Sequence, residues 1–332
     1  MKLIRIILFP VVPIYYVVTL LRNWLYDQGL KSSKSYDFPV ICVGNLSTGG
    51  TGKTPMIEYL IRFLKDEKNI ATLSRGYKRS TTSFVLADET ADATTIGDEP
   101  FQFYRKFDKI KVAVDRDRQN GIEQLLNLSS KTDVILLDDA FQHRKVKAGL
   151  NILLTSYDNL FYKDIVLPTG NLREPRNGYK RAQLIVVTKC PATLSDSEKK
   201  RIINGVKPVS GQQVFFSNII YSEYIYSEDK TINLKDLGQF TLVTGIAKTS
   251  PLIEHLESLN LKFDHLEYPD HHNFSKKEID LIKKKELILT TEKDYVRLSN
   301  ETELKGKLFY LPIELNIEDG KQFNSQVRAF VN

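Results

Sequence analysis

The chain alternates short apolar runs with stretches of helical spacing. Residues 40–43, 70–74, 83–87, 111–114, 134–137 and 183–188 read as strands, and the most apolar of them suit strands buried on both faces of a sheet. Between the first two, apolar side chains recur at Met56, Ile57, Tyr59, Leu60, Phe63 and Leu64, one face of a helix. Such alternation predicts an α/β fold with a doubly wound, mainly parallel sheet. A second, smaller α/β domain follows: a strand over 240–245 ending in a glycine turn, a helix over 251–259 and a strand over 262–268. The capping box Ser275-Lys-Lys-Glu278 then opens a helix before a strand over 286–290. Residues 214–226 read as extended linker segments, so the pattern divides the chain into 31–212 and 213–332.

Ahead of both lies a different pattern. Residues 6–21 form a nearly unbroken apolar run, bracketed by Lys2, Arg5 and Arg22 and accompanied by Tyr15, Tyr16, Trp24 and Tyr26. The run falls just short of the roughly 17 to 25 residues that span a bilayer, and Pro10 and Pro13 distort a simple helix. No small-residue cleavage site follows it. Residues 1–30 are therefore expected to form a membrane-associated segment lying in or dipping into the surface; the other reading is a helix packed on the domain.

Composition changes this picture little. With 42% apolar and 27% charged residues the chain is ordinary for a globular protein, and its net charge of +6 favours anionic partners. Two cysteines, Cys42 and Cys190, exclude a disulfide framework and a cysteine metal cluster, which fits a reducing compartment.

The chemistry starts where the first strand empties into Gly-Asn-Leu-Ser-Thr-Gly-Gly-Thr-Gly-Lys-Thr, residues 44–54. Gly49, Gly50 and Gly52 let backbone N–H groups turn inward on an anion at a helix N-terminus, Lys53 reaches outer phosphates, and Thr54 suits Mg²⁺. The strict phosphate-loop pattern has glycine where Ser47 stands. Downstream, the strand over 134–137 delivers Asp138 and Asp139 at its carboxyl end, where a hard cation beside the loop finds its oxygens. A hydroxyl acceptor needs a proton acceptor, and His271 or His272, preceded by Asp270, has the right chemistry. Asp98 in Gly-Asp-Glu-Pro and the Arg173-Glu174 pair are further candidates, with helix capping and a surface ion pair as their plain alternatives. A guanine-reading Asn-Lys-x-Asp is absent; Val187-Thr-Lys-Cys190 has the Thr-Lys without the acid.

Taken together, residues 43–55, Ser74-Arg-Gly-Tyr77, Gly97-Asp-Glu-Pro100, Asp138-Asp-Ala-Phe-Gln-His143, residues 167–175, Asp270-His-His272 and Thr291-Glu-Lys-Asp294 resemble the tetraacyldisaccharide 4'-kinase family. The resemblance covers nearly the whole chain. It implies a P-loop NTPase-like fold and transfer of the ATP γ-phosphate to the 4'-hydroxyl of a tetraacyl disaccharide 1-phosphate. That is a step of lipid A synthesis at the cytoplasmic face of the inner membrane. It further implies that Asp98 and His271 act as a dyad on the hydroxyl. Lys53, with Asn45, Ser47, Thr48, Gly49, Gly50, Thr51, Gly52 and Thr54, would bind nucleotide, and Thr54, Asp138, Asp139 and Glu174 would form the Mg²⁺ site. Arg75, His143 and Arg173 are implied phosphate contacts. ATP and Mg²⁺ are the implied cofactors, a lipid and a membrane surface the implied partners, and nucleic acid is not among them.

Overall fold

The computed structural model describes residue 5 and residues 7–77, 79–270 and 272–332. Eight strands come first: β1 (Val40–Asn45), β2 (Ile70–Ser74), β3 (Val85–Leu86), β4 (Lys111–Val114), β5 (Val134–Asp138), β6 (Leu150–Ser156), β7 (Leu184–Thr188) and β8 (Gln213–Tyr221). A second group follows: β9 (Tyr224–Tyr226), β10 (Thr231–Asn233), β11 (Phe240–Thr244), β12 (Phe263–Glu267), β13 (Ile288–Thr291) and β14 (Leu308–Leu311), before β15 (Ile313–Ile317). The first sheet runs β15-β8-β7-β6-β1-β5-β2-β4-β3, and the second β10-β9-β14-β13-β11-β12.

In the first sheet β1 pairs parallel with both β5 and β6, so the chain winds outward from a central strand. All positions of β1, β2, β5 and β7 are buried, as both-face coverage demands. On one face Met56, Ile57, Leu60 and Ile61 of the helix Lys53–Leu64 pack with Ile41, Val43 and Leu136. On the other, Cys42, Leu73, Ile122, Phe161 and Ile185 form a second layer. Each such side chain contributes about 1.5–3 kcal/mol by leaving water.

The division at residue 213 needs correction. β8 continues the first sheet parallel to β7, and β15 returns antiparallel to β8 through Ile313↔Tyr221 and Ile317↔Ser217. Beyond it, the helix Gly320–Val331 sets Phe323, Val327 and Val331 into the core of the first sheet, with the Phe323 ring 5.3 Å from Phe215. The second unit is thus an insertion carried between β8 and β15. Tyr224–Tyr226, expected in a linker, is one of its strands.

The N-terminal helix Val12–Asp27 lies against the first unit through specific bonds. Tyr15 Oη donates to the Arg173 carbonyl at 2.9 Å, Arg22 to the Gln142 carbonyl at 2.8 Å, and Arg144 to the Asn23 carbonyl at 3.0 Å. Its other face leaves Ile14, Val17, Val18 and Leu21 more than half exposed and Trp24 exposed beside them. No helix among the described residues is long and apolar enough to cross a membrane.

Candidate active site

The glycine loop leaves β1 at Asn45, whose Nδ2 donates to Thr51 Oγ1 at 2.7 Å across the turn. Thr48 N–H donates to the Asn171 carbonyl at 2.8 Å, and Ser47 bridges Leu172, so residues 167–175 brace the loop from one side. Gly52, with φ of 84°, makes the left-handed step that launches the helix at Lys53. A second brace comes from the end of β7. Thr188 Oγ1 donates to the Thr51 carbonyl at 2.8 Å and Lys189 Nζ to the Gly50 carbonyl at 2.6 Å. The Thr-Lys of residues 188–189 therefore shapes the phosphate loop, a role its sequence does not announce.

Facing the loop, β5 ends in Asp138, and Asp139 follows in a left-handed conformation with φ of 48°, which aspartate tolerates better than most residues. Lys53 Nζ stands 3.8 Å from Asp139 Oδ2. Arg173 Nη1 lies 2.9 and 3.0 Å from the two Asp139 oxygens. Asp138 is buried; its Oδ2 accepts from Ser74 Oγ at 3.3 Å, while Oδ1 has no hydrogen-bond partner among the described residues. Burial, then the charges of Glu99 and Asp139, hold its carboxyl well above the ordinary range. A buried carboxylate oxygen left unpartnered among the described residues, in the field of Lys53, fits a hard divalent cation, which would supply the missing charge.

Sequence reading passed over Arg118. It is buried near this centre, and burial, with the charge of Arg75 behind it, lowers its pKa while Asp139 and Asp138 oppose the shift. Arg75 itself is exposed just past the end of β2. His143 lies with its Nε2 3.7 Å from Asp117 Oδ1, its pKa pushed down to about 4 by burial and then by Arg118.

Glu174, expected in the metal shell, is engaged by three side chains. It is 1% exposed, and its oxygens accept from Asn23 Nδ2 at 2.6 Å, Gln142 Nε2 at 3.0 Å and Arg181 at 2.9 and 2.7 Å. With its lone pairs so occupied, it ties the N-terminal helix to the first unit.

Asp98 opens the helix Asp98–Lys106 and is gripped by Arg297 of the second unit, Nε at 3.1 Å and Nη2 on the same oxygen. Arg297 Nη1 also reaches the His272 carbonyl at 3.5 Å. One guanidinium thus joins Asp98 to the histidine loop. His271 lies outside the described residues. The His272 ring is engaged elsewhere: Nε2 is 3.0 Å from Glu278 Oε2 and the ring stacks on Tyr268 at 5.0 Å. Asp270 Oδ1 is 4.0 Å from Lys293 Nζ.

A parallel sheet whose central strand feeds a glycine loop and lysine-headed helix, opposite a strand ending in two aspartates, defines a P-loop nucleotide-dependent phosphotransferase. The comparisons sharpen the class. The chain belongs to the tetraacyldisaccharide-1-P 4'-kinase family, whose sequence model matches residues 4–332. A protein of Flavobacterium johnsoniae called tetraacyldisaccharide 4'-kinase is 52% identical over 319 residues, covering 95% of this chain and 93% of the relative. One of the same name from Bacteroides fragilis is 44% identical over 347 residues, covering 98% and 92%. The crystal structure of LpxK from Aquifex aeolicus in complex with ATP superposes with a TM-score of 0.77 at 29% identity, covering 99% of this chain and 100% of that one. Membership carries the family's reaction, ATP-dependent phosphorylation of a lipid A precursor.

Proposed function

We propose that this chain moves the γ-phosphoryl group of ATP to the 4'-hydroxyl of a tetraacyl disaccharide 1-phosphate at a membrane surface, the cytoplasmic face of the inner membrane. The observation that carries the reading is the convergence of Lys53, Asp138 and Asp139 beside the glycine loop, with Asp98 of the first unit joined through Arg297 to the histidine loop of the second. The loop N–H groups and Lys53 hold the phosphates; Thr54, Asp138 and Asp139 would hold Mg²⁺, which would neutralise charge on the transferring group. Glu174 stays outside that set.

Asp98 with His271 takes the proton of the 4'-hydroxyl as its oxygen bonds to phosphorus and the bond to the ADP oxygen breaks. ADP and the 4'-phosphorylated lipid leave. Arg173 and Arg75 offer charge to nucleotide or substrate phosphates, and the exposed apolar face of Val12–Asp27 suits insertion among acyl chains.

The test is γ-labelled ATP mixed with the lipid disaccharide. Label is expected in a 4'-phosphorylated lipid, and release only as inorganic phosphate would overturn the reading. In D98A and H271A turnover is expected to fall by orders of magnitude, with the double variant little worse than the poorer single one.

A further inference from the structure

The stretch 290–297 stands out in the sequence, and the chemistry assigned so far leaves it without a task. Its helix, Glu292–Leu298, belongs to the second unit and packs on the helix Asp98–Lys106 of the first. Ionic contacts tie the two at two places. At one, Lys106 Nζ lies 2.8 Å from Glu58 of the helix Lys53–Leu64 and 2.5 Å from Glu292, while Arg62 is 2.9 Å from Glu58. The Glu58 and Glu292 side chains are 2% and 9% exposed, so two acids and two cations balance in a largely dehydrated network.

At the other place stands Arg297. Its Nε and Nη2 both bear on Asp98 Oδ2, and its Nη1 lies 3.6 Å from Asp294 Oδ1. Asp294 is buried and fixed from behind, accepting from Gly245 N–H at 2.8 Å at the end of β11 and from Thr291 Oγ1 at 2.7 Å. The guanidinium is therefore seated on the framework of the second unit before it reaches across to the first.

A planar guanidinium that gives two N–H groups to one carboxylate oxygen fixes both distance and direction. We infer that Arg297 is the positioning residue for the Asp98 carboxylate, turning it toward the acceptor hydroxyl whenever the two units are together. This rests on the role given to Asp98 above. Such orientation acts once both substrates are bound, so its loss lowers the chemical step and leaves ATP binding alone.

The test is steady-state kinetics of the full chain with ATP and acyl disaccharide 1-phosphate. In R297A kcat is expected to fall about 100-fold or more while KM for ATP stays within about threefold. R297K, which keeps the charge without the fork, recovers about tenfold, and adding R297A to D98A costs little more. Thermal midpoints are read alongside; if R297A fails to fold, R297K alone and combined with D98A carries the same comparison. Wild-type kcat in R297A, a change confined to KM for ATP, or a loss that multiplies in full with that of D98A overturns the inference. If D98A turns over like the unaltered chain, the role of Asp98 fails and this inference with it. An inactive D98A beside a fully active R297A overturns this inference alone.

Discussion

Arg173 straddles the carboxylate of Asp139, one Nη1 within 3.0 Å of both oxygens, while Lys53 stands 3.8 Å from one of them. The acid beside the phosphate loop is thus held by two cations that also suit phosphate. Removing its charge without its shape, in D139N, is expected to raise the Mg²⁺ concentration for half-maximal activity about tenfold or more. An unchanged Mg²⁺ titration would detach Asp139 from the cation site.

Glu174 makes the opposite case. Its oxygens hold Asn23, Gln142 and Arg181, so E174A strands the Arg181 guanidinium and removes one of the ties of the N-terminal helix. A loss of about 2–4 kcal/mol in unfolding free energy is expected by denaturant titration. E174Q is expected to leave the Mg²⁺ titration of the folded enzyme where it was. A shifted titration would return Glu174 to the metal shell.

How much of this was legible in the sequence depends on distance along the chain. The strand, glycine loop and lysine are neighbours, so composition alone marks them, and Asp138-Asp139 sits at the visible end of an apolar run. The partner of Glu174 at Asn23 is 151 residues away, and no local pattern reports it. β15 alternates too briefly to be noticed until β8 lies beside it. Arg118 and Arg297 look like solvated helix charges, and only folding shows the first buried and the second turned onto Asp98.

His143 supplies a pH dependence. Its ring has pKa 6.5 when unfolded and about 4 in place, because burial and Arg118 disfavour the charged form. Between those values the unfolded chain binds more protons, so this contribution to stability rises with pH across the window and is flat above it. Acidification from pH 7 to 4 is expected to cost on the order of 2–3 kcal/mol through this ring. H143Q is expected to flatten the slope of unfolding free energy against pH in that window, and an identical slope would refute the neutral ring.

The N-terminal helix invites a surface test. Deleting it would strip Asn23 from Glu174 and confuse attachment with folding, whereas Ile14, Val18 and Leu21 are 65%, 59% and 52% exposed. Changing these three to Ser removes about 1.5–3 kcal/mol of burial each if they enter a bilayer, so vesicle affinity is expected to fall on the order of 100-fold or more. The thermal midpoint is expected to stay within about 2 °C. Undiminished cosedimentation with vesicles would place the membrane contact elsewhere.

The return of β15 and the helix Gly320–Val331 to the first sheet has a consequence during synthesis. A growing polypeptide that has just made its glycine loop still lacks Phe323 and Val327, which complete the apolar layer over that loop's own helix. The apolar layer of the nucleotide lobe is therefore complete only after the whole inserted sheet has been made. The apolar leading segment emerges long before, so a nascent chain presents that face while the layer over its lysine-headed helix is still short of its last side chains.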